Sequence, residues 1–485
     1  MQGFRDICLE NQNRTFIVEP FSKRSMTYRQ LYQASGVLAK LLLKKGAKKG
    51  DRAIVSYANQ IEAVIAQFAL LRIGITSVPV NPQMKQNQLV HILNQVKPVA
   101  VITQEETELC SIVEAEKVLM YSYDIDDSME EVGFDEEAIL EDDFPLVILY
   151  TSGTTGMPKG VVHTYKGIYK DFMEYGRCYE FDQDTRFIQS MPIYHGDGWC
   201  HSNLCPFWHG ASVILLPIFN TRVIAQFDSY VEEYKGNVLV AVPIMLSQIL
   251  GMKIRFRYDI KGKIRLALCG SAKLHADTLH NFETEFEAKV YENYSLTETM
   301  LISQYSKDVE YKKDSVGKIL DECQVKILED GEILIKSPYL FAGYYQEPEL
   351  TNDSMQDGWF CTGDTGYVDD ENYLYLIGRK KNIINKAGLK IDPEEINGVI
   401  LKCKGVEDAA TIGVEDVAVG EEIYSFVSGT QLKDEDIQLI MDKLKQEVVL
   451  AKIPKQVILI DAIPRNAIGK VVNDELTKFI HVKRG

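Results

Sequence analysis

The sequence lacks paired cysteines, an excess of positive charge and a long hydrophobic run. Its nine cysteines include no CxxC pair, which is typical of reduced cytosolic thiols and argues against a disulfide framework or a zinc site. The net charge of -17 argues against a general nucleic-acid binder, because neutralising phosphates requires clustered Lys and Arg. The longest apolar stretch, 238–250, is interrupted by Pro243 and Ser247 and is too short to span a bilayer. No basic segment followed by an apolar run opens the chain, so we expect no signal peptide and a cytoplasmic location.

Several catalytic patterns are also missing from the sequence. We find no Gly-x4-Gly-Lys-Ser/Thr spacing of a Walker A loop, which disfavours a P-loop NTPase that yields ADP. We find neither the GxSxG elbow nor the Cys/His signature of enzymes that use a protein nucleophile. Internal repeats and low-complexity tracts are absent as well.

The length and composition fit an ordinary globular protein. The 485 residues correspond to roughly three domains or subdomains, at about 150 residues for each domain. The composition, 46% hydrophobic and 25% charged, provides an ample core. With this acidic balance, we expect anionic ligands to be held by local loops rather than by the field of the whole protein.

The pattern of apolar residues predicts an α/β fold with mixed, largely parallel sheets. Apolar residues recur at helical spacing over 27–46 and 60–72, and short β-branched or apolar runs lie between and after these segments. Strands that alternate with helices in this way are typical of parallel sheets. The predicted strands lie at 53–55, 78–80, 99–102, 146–150, 211–216, 238–242 and 265–268.

Two further segments bear on domain organisation. The acidic segment 123–143 reads as a solvated linker or a surface helix. A basic, glycine-punctuated segment follows Gly378, and a small α/β unit with a helix near 434–450 comes after it. We therefore place a domain boundary near Lys381 and predict domains at 1–380 and 381–485.

A loop suited to binding phosphate directly follows the buried strand at 146–150. Its glycines allow close backbone approach, so that successive N–H groups can form a concavity for an anion. Hydroxyl groups add donors and Lys159 adds a mobile positive charge. The loop reads Thr151-Ser152-Gly153-Thr154-Thr155-Gly156-Met157-Pro158-Lys159-Gly160.

This string closely resembles the signature loop of the adenylate-forming superfamily, which comprises acyl-CoA synthetases, luciferases and the adenylation domains of peptide synthetases. The resemblance extends over most of the chain and is closest to acyl-CoA synthetases. It implies a large multi-subdomain N-terminal domain and a small mobile C-terminal domain. It also implies ATP-dependent conversion of a carboxylic acid to an acyl-AMP, with pyrophosphate release, and then a thioester. The cofactors and cosubstrates that it implies are ATP, Mg²⁺ and either CoA or a carrier-protein pantetheine. The resemblance also implies a place for the enzyme in fatty acid metabolism.

A second segment, Met191-Pro192-Ile193-Tyr194-His195-Gly196, resembles the family's motif at the carboxylate pocket. The resemblance implies that His195 gates this pocket and that Trp199 lines it, although a tryptophan here could equally belong to the core. Asp197 is less expected beside an acyl pocket. It either faces water or indicates an acyl group with an amine or hydroxyl, because a buried carboxylate needs a partner.

The nucleotide site is implied by two further resemblances. The segment Gly270-Ser271-Ala272 resembles the family's adenine-side turn, with Lys273 in place of the usual proline. The string Glu292-Asn293-Tyr294-Ser295-Leu296-Thr297-Glu298 resembles the motif Gln-Gly-Tyr-Gly-x-Thr-Glu, and it departs from that motif at Glu292 and Ser295. By resemblance, Tyr294 stacks on adenine, Thr297 contacts phosphate and Glu298 holds Mg²⁺, a hard cation that prefers carboxylate and water.

The C-terminal part contains the remaining implied site residues. Asp364 in Thr-Gly-Asp would accept hydrogen bonds from both ribose hydroxyls, and Arg379 would contact ribose or phosphate. Lys381 takes the hinge position and Gly388 the thiol tunnel, although a turn glycine is an alternative for Gly388. Lys470 follows the string Pro-Arg-x-x-x-Gly and matches the catalytic lysine.

Three questions stay open at this level. The thiol acceptor is CoA or, alternatively, the pantetheine of a carrier protein served by a stand-alone adenylation enzyme. An inactive nucleotide-binding relative is a further alternative, against which the intact Lys470, Glu298 and Asp364 argue. Asn385 occupies a position where some relatives have Lys, so luciferase-like oxidation is not supported. The sequence does not identify the acid or the oligomeric state.

Overall fold

The computed structural model describes residues 3–103, 108–123, 137–152, 157–380, 382–387, 389–416, 419–466 and 470–482. The chain divides into a large N-terminal unit and a smaller C-terminal unit. The first comprises residues 1–312, 317–324 and 336–358, and the second comprises 313–316, 325–335 and 359–485. The predicted boundary near Lys381 stays a prediction, because Lys381 itself lies outside the described residues.

The sequence predicts three of the helices, and each of them ends within three residues of its expected bounds. The predicted helices over 27–46, 60–72 and 434–450 are confirmed as α2, α3 and α14. In α2, Thr27 accepts a hydrogen bond from the Gln30 backbone N–H, and the Gln30 side chain accepts from the Thr27 N–H, which forms a capping box. The helices are α1 Phe4–Glu10, α2 Tyr28–Lys44, α3 Ile61–Arg72, α4 Gln86–Val96, α5 Glu108–Ile112, α6 Tyr165–Tyr179, α7 Cys205–Trp208, α8 Thr221–Ile224, α9 Phe227–Glu232, α10 Pro243–Met252, α11 Ala276–Phe286, α12 Pro348–Asp353, α13 Pro393–Ile400, α14 Asp436–Glu447 and α15 Asn473–Val482.

Shorter helical pieces complete this set. A π-helical turn spans Asp197–Leu204, and 3-10 turns span Ala115–Lys117, Lys253–Arg255 and Leu450–Lys452. In the parts of the chain that the structure describes, none of the helices combines the length and apolar character needed to cross a membrane.

All the predicted strands are present, and their ends differ from the expected ones by at most two residues. The strands are β1 Thr15–Glu19, β2 Arg24–Thr27, β3 Arg52–Ser56, β4 Thr76–Pro79, β5 Ala100–Thr103, β6 Val118–Met120, β7 Pro145–Ser152, β8 Pro158–Thr164, β9 Arg186–Gln189, β10 Ser212–Leu215, β11 Val238–Ala241, β12 Leu266–Cys269, β13 Lys289–Leu296, β14 Met300–Gln304, β15 Ser315–Ile319, β16 Gln324–Ile327, β17 Glu332–Lys336, β18 Gly343–Tyr344, β19 Met355–Gln356, β20 Trp359–Val368, β21 Tyr373–Arg379, β22 Ile384–Lys386, β23 Leu389–Ile391, β24 Asp408–Asp416, β25 Gly420–Ser428 and β26 Gln456–Leu459.

One sheet of the first unit has the strand order β18-β8-β7-β4-β3-β5-β6. The strands from β7 to β6 run parallel, whereas β8 runs antiparallel to both β7 and β18. Every residue of α3 is buried, which fits a helix packed on more than one side. The antiparallel β7–β8 hairpin carries the predicted phosphate loop at its turn.

A second sheet of the first unit has the order β2-β1-β10-β9-β11-β12-β13-β14. Its strands from β1 to β13 are parallel, and antiparallel pairs occur only at β1–β2 and β13–β14 within this stretch. The fold class, α/β with mixed and largely parallel sheets, is thereby confirmed. Parallel strands place their carboxyl ends at one edge, which is where ligand-binding loops collect in such sheets.

The second unit contains two smaller groups of strands. In the first, β16, β17, β20 and β21 are neighbours, and β20 runs antiparallel to β17 and β21. In the second, the order is β23-β22-β25-β24, with β26 parallel to β25. Residues of α13 and α14, including Ile396, Ile400, Ile440 and Leu444, form a buried cluster with Val427 of β25. The small α/β unit that the sequence predicts is therefore present.

Candidate active site

The ends of the predicted phosphate loop are fixed by the β7–β8 hairpin. In the pairing of the two strands, Thr151 is opposite Lys159 and Ser152 is opposite Pro158. The Thr151 hydroxyl oxygen is buried and has no hydrogen-bond partner among the described residues. The loop residues between these ends, Gly153, Thr154, Thr155 and Gly156, lie outside the described part of the chain.

Lys159, Glu298 and Tyr344 form a compact polar cluster beside this loop. The Lys159 Nζ lies 3.2 Å from Glu298 Oε1 and donates a hydrogen bond of 2.7 Å to the Tyr344 hydroxyl. That hydroxyl in turn donates to Glu298 Oε1 at 2.8 Å. The Lys159 ammonium also lies 4.1 Å from the centre of the Tyr344 ring. The sequence placed Lys159 and Glu298 in one site, and the structure brings them into contact.

Tyr344 is a member of this cluster that sequence reasoning missed. Strand β18 pairs with β8 so that Tyr344 is opposite Val161, which positions its ring along the side of Lys159. Burial raises the pKa of the Tyr344 phenol, and the charge of Glu298 raises it further. The hydroxyl therefore keeps its proton and donates a hydrogen bond to the carboxylate. No local pattern around Tyr344 marked it, because its partners are 46 and 185 residues away in the sequence.

The cluster has the chemical features needed to hold a metal–phosphate pair. The Lys159 and Glu298 side chains are 28% and 13% exposed, so both remain reachable by a ligand. Among the described residues, no three His, Cys, Asp or Glu side chains come together as a metal centre. Mg²⁺ commonly keeps phosphate and water among its ligands beside one or two carboxylates, so a single carboxylate such as Glu298 would suit it.

Thr297 is positioned by a buried histidine that the sequence analysis did not identify. His163 on β8 is fully buried, and its Nε2 lies 2.6 Å from the Thr297 carbonyl oxygen. Burial lowers the pKa of His163 to about 4, so the neutral ring donates its Nε2 proton to that carbonyl. On the other side, the Phe341 backbone N–H donates to the Glu298 carbonyl at 2.8 Å. These two bonds fix the backbone that carries both predicted side chains.

The predicted adenine-side turn lies next to β13. Ser271 has a φ of +69°, and Ala272 after it is exposed. A Cβ at Gly270 would come within 2.6 Å of Asn293 Oδ1, so a side chain at this position would force Asn293 to move. The structure thus brings together the turn and the part of segment 292–298 that lies on β13, which the resemblance assigned to one site.

The side chains of β13 alternate in exposure. Glu292 is 9% exposed and accepts a hydrogen bond of 3.3 Å from the Leu274 N–H. Tyr294 is 6% exposed. Ser295 is partly exposed and pairs with Leu301 across the β13–β14 ladder. Adenine stacking by Tyr294 stays a prediction.

The predicted acyl-pocket residues lie in the π-helical turn, as Asp197 and Trp199 do, or two residues before it, as His195 does. The His195 ring is partly exposed and lies 5.0 Å from the Tyr194 ring. Trp199 is 2% exposed and packs edge-on against Phe68 at 5.6 Å, as the core alternative requires. Its role in lining a pocket stays a prediction.

Asp197 does more than face water, the first of the two alternatives that the sequence left open. Its side chain is 31% exposed and is bonded on both oxygens, by His201 Nδ1 at 3.1 Å and by the Ser271 hydroxyl at 3.1 Å. His201 was missed in the sequence, although its spacing of four residues from Asp197 on a helical segment is a usable signal.

The second unit contains the remaining predicted residues that the structure describes. Asp364 is 5% exposed, and its Oδ1 lies 2.8 Å from Arg379 Nε across the β20–β21 pairing. Lys470 is exposed, and its backbone exchanges two hydrogen bonds with Asn466. Lys381 and Gly388, the predicted hinge and tunnel residues, lie outside the described residues.

Two protein-family models match this chain. The model of the AMP-binding enzyme family matches residues 4–345, and the model of the AMP-binding enzyme C-terminal domain matches residues 395–470. The matched regions contain most of the predicted site residues, including the phosphate loop and Lys470.

Proteins of similar length resemble the chain over more than nine-tenths of its residues. A 2-succinylbenzoate–CoA ligase of Bacillus cereus (strain Q1) is 28% identical over 94% of each chain. The solved o-succinylbenzoate coenzyme A synthetase MenE of Bacillus subtilis, in complex with ATP and magnesium ion, is 25% identical. It covers 98% of both chains, with a TM-score of 0.84. ATP-bound MatB of Rhodopseudomonas palustris, 24% identical over 98% of both chains, shares the fold with a TM-score of 0.84.

Proposed function

The chain belongs to the AMP-binding enzyme family, and on that premise we propose that it joins a carboxylic acid to coenzyme A in two steps. In the first, ATP and the acid give an acyl-AMP and pyrophosphate. In the second, CoA displaces AMP to give the acyl-CoA thioester. The enzyme class, an AMP-forming acid–CoA ligase, accords with the CoA ligases of similar length described above.

The observation that carries this proposal is the contact of Lys159, Tyr344 and Glu298 beside a loop of phosphate-binding composition. A nucleoside triphosphate is a polyanion, so a site that binds it needs a fixed positive charge and a metal ion held between the phosphates and a protein carboxylate. Lys159 supplies the charge, and Glu298 supplies the carboxylate that a magnesium ion would use. When bound, Mg²⁺ acts as a Lewis acid whose positive charge offsets the negative charge on the phosphate oxygens.

The first step needs positioning and charge rather than a protein nucleophile. A carboxylate oxygen of the acid forms a bond to the α-phosphorus of ATP. The bond from that phosphorus to the bridging oxygen breaks, and pyrophosphate leaves. Both reactants are anions, so positive groups held at the reacting atoms lower the barrier. We assign Lys470 to the acid carboxylate and the α-phosphate, and Thr297 to phosphate.

The second step transfers the acyl group to sulfur. The thiol sulfur of CoA bonds to the acyl carbon, the carbon–oxygen bond to AMP breaks, and the thiol proton is released to solvent. We assign Asp364 and Arg379 to the ribose side of the nucleotide in both steps. From the family resemblance, we assign Lys381 to the hinge and Gly388 to the path of the thiol.

The relatives bear on the acid and on the acceptor. The Bacillus enzymes named above act, by their names, on 2-succinylbenzoate, so they give no support to the expected place in fatty acid metabolism. Their acceptor is CoA, which favours free CoA over a carrier-protein pantetheine for this chain. We therefore propose CoA as the acceptor and an acid still to be determined from a panel.

The test supplies the purified protein with ATP, Mg²⁺ and pooled acids, with and without CoA. The pools contain fatty, aryl, hydroxy and amino acids, and mass spectrometry reads the nucleotides and thioesters. AMP together with an acyl-CoA is the expected result. An adenylate that CoA does not discharge, but a carrier protein does, would overturn the choice of acceptor. ADP as the product would overturn the adenylation step itself.

Replacing Tyr344 with phenylalanine is expected to lower kcat/KM for ATP about tenfold. The change removes the hydroxyl that bridges Lys159 and Glu298 but keeps the ring beneath the ammonium. A hydrogen bond to a charged group contributes about 1.5–3 kcal/mol, of which the remaining direct ion pair restores a part. Pyrophosphate exchange at varied ATP concentration measures the effect.

Tyr258→Phe is the matched control for this variant. The Tyr258 hydroxyl also donates to a carboxylate, that of Glu233 at 2.9 Å, but on an exposed surface. It should leave exchange unchanged. Equal rates for the two variants would show that the Tyr344 hydroxyl does not organise the phosphate site.

A further inference from the structure

A buried chain of hydrogen bonds runs through Asp171, His201, Asp197 and Ser271. His201 Nε2 lies 2.8 Å from Asp171 Oδ2, and His201 Nδ1 lies 3.1 Å from Asp197 Oδ1. The other Asp197 oxygen accepts from the Ser271 hydroxyl at 3.1 Å. The side chains of Asp171 and His201 are 0% and 5% exposed, whereas that of Asp197 is 31% exposed. The hydrogen bonds thus begin in the core at Asp171 and reach Ser271 through the accessible carboxylate of Asp197.

The geometry defines the net charge of these hydrogen-bonded side chains. Each ring nitrogen of His201 faces a carboxylate oxygen, so both nitrogens donate and the ring is an imidazolium. Burial lowers the pKa of His201, but the charge of Asp171 and the hydrogen bonds to both carboxylates outweigh this effect and raise it to about 10. Burial raises the pKa of Asp197, and the bonds from His201 and Ser271 bring it below its ordinary value. Two carboxylates and one imidazolium leave one net negative charge.

The positions of these groups are tightly fixed. The second oxygen of Asp171 accepts from the Leu301 backbone N–H at 3.1 Å. The Tyr175 ring stacks on the His201 ring, with centres 4.7 Å apart and planes 26° apart. Asp197 and His201 lie four residues apart in the π-helical turn, where both can face the same side. Rotation of the Asp197 carboxylate would break a bond at one oxygen or the other.

Asp197 lies where the two parts of the expected ligand site meet. It comes two residues after His195, which we assign to the acid, and it bonds Ser271 of the turn that we assign to the nucleotide. A carboxylate has about four acceptor positions, and two are in use. Nearly a third of the side chain is accessible, which leaves room for a further donor to approach.

We propose that Asp197 is a specificity-determining residue that accepts a hydrogen bond from an amino or hydroxyl group of the acid substrate, and that His201 is a positioning residue that holds Asp197 for this task. The inference rests on the proposed function and names its substrate class. The substrate has a negative carboxylate of its own, which the fixed carboxylate of Asp197 repels. An acid without a hydrogen-bond donor therefore binds poorly beside Asp197. A donor on the substrate offsets that repulsion, and a polar site rejects analogues that leave it unpaired.

The test compares acids that differ only in the donor. The first series is benzoate, 2-hydroxybenzoate and 2-aminobenzoate, and the second is propionate, lactate and alanine. The wild-type enzyme is expected to prefer a donor-bearing member over its donor-free analogue by about 10–100-fold in kcat/KM, the range for a hydrogen bond to a charged group. Whether the amino or the hydroxyl member leads identifies the donor. A preference for the donor-free members in both series would overturn the proposal.

Variants at the two residues separate recognition from folding. Asp197→Ala should reduce the preference to less than threefold, and isosteric Asp197→Asn should reduce it while retaining the fold. His201→Gln should reduce it in the same direction, through KM for the donor-bearing acid more than through kcat. In the double variant Asp197→Ala/His201→Gln, the preference should fall no further than in Asp197→Ala, because His201 acts through Asp197. Asp142→Asn, at an exposed ion pair, is the control that keeps the preference.

The outcomes distinguish this inference from the function on which it rests. If no acid yields AMP with the wild-type enzyme, the proposed function fails. If acyl-CoA forms but Asp197→Asn and Asp197→Ala slow both members of a pair equally, the function stands and Asp197 is only structural. Additive losses of preference in the double variant would show that His201 does not act through Asp197.

Discussion

Replacing Lys470 with alanine is expected to slow acyl-adenylate formation by on the order of 10²–10³-fold while ATP binding is retained. The proposed role of this lysine is to neutralise charge between two anions at the reacting centre. Such a group acts mainly on the transition state, so its loss lowers kcat rather than raising KM for ATP. Pyrophosphate exchange measures the step, and calorimetric titration with ATP measures the binding.

The structure indicates that this substitution leaves the fold intact. Lys470 is exposed, and two hydrogen bonds involve its backbone: its N–H donates to Asn466 Oδ1 at 2.9 Å, and its carbonyl accepts from the Asn466 N–H at 2.8 Å. An alanine makes both bonds. We therefore expect an unchanged melting temperature, which excludes unfolding as the cause of the lost activity.

Lys478→Ala is the matched control for Lys470→Ala. Lys478 lies on α15 in the same unit and forms a surface ion pair with Glu475 at 2.7 Å. This variant should retain full exchange. Thioester formation from a supplied acyl-AMP and CoA should also survive in Lys470→Ala, since the lysine is assigned to the first step alone. Exchange within threefold of wild type in Lys470→Ala would refute that assignment.

The fold was largely predictable from the sequence because its signals are local. Apolar spacing over 60–72 predicts a helix, and α3 runs from Ile61 to Arg72. The apolar run at 146–150 predicts a buried strand, and β7 contains it. Each signal depends on neighbours within one element, where the periods of 3.6 and 2 residues apply.

The site was predictable only in part, for the same reason. Lys159 and Glu298 were found as parts of strings, but Tyr344 contributes a single hydroxyl from a two-residue strand. His163 and Asp171 act through contacts with Thr297 and His201, which lie 134 and 30 residues further along the chain. Pairings of this kind depend on strand order and helix packing, which no local pattern encodes. The contact of Asp197 with His201 is different, because its spacing of four residues is a local signal that the alternative of Asp197 facing water left unused.

Replacing Glu298 with glutamine is expected to lower kcat/KM for ATP about 100-fold and to raise the Mg²⁺ concentration needed for half-maximal rate. Glutamine keeps the size and an oxygen that can accept from Tyr344, but it removes the charge. A neutral amide is a poor ligand for a hard cation, which prefers carboxylate oxygen. The same change leaves Lys159 without its carboxylate partner at 3.2 Å, so folding should be checked by thermal melting.

The Mg²⁺ dependence separates a metal-binding role of Glu298 from a purely structural one. If Glu298 only paired with Lys159, Glu298→Gln would lower the rate by the same factor at every Mg²⁺ concentration. If it holds the metal, high Mg²⁺ should restore part of the lost rate, because mass action refills a weakened site. Glu141→Gln removes the charge of an exposed carboxylate that pairs with Lys49 at 2.7 Å, and it should change neither quantity. A Mg²⁺ requirement in Glu298→Gln equal to that of wild type would place the metal elsewhere and leave Glu298 as the partner of Lys159.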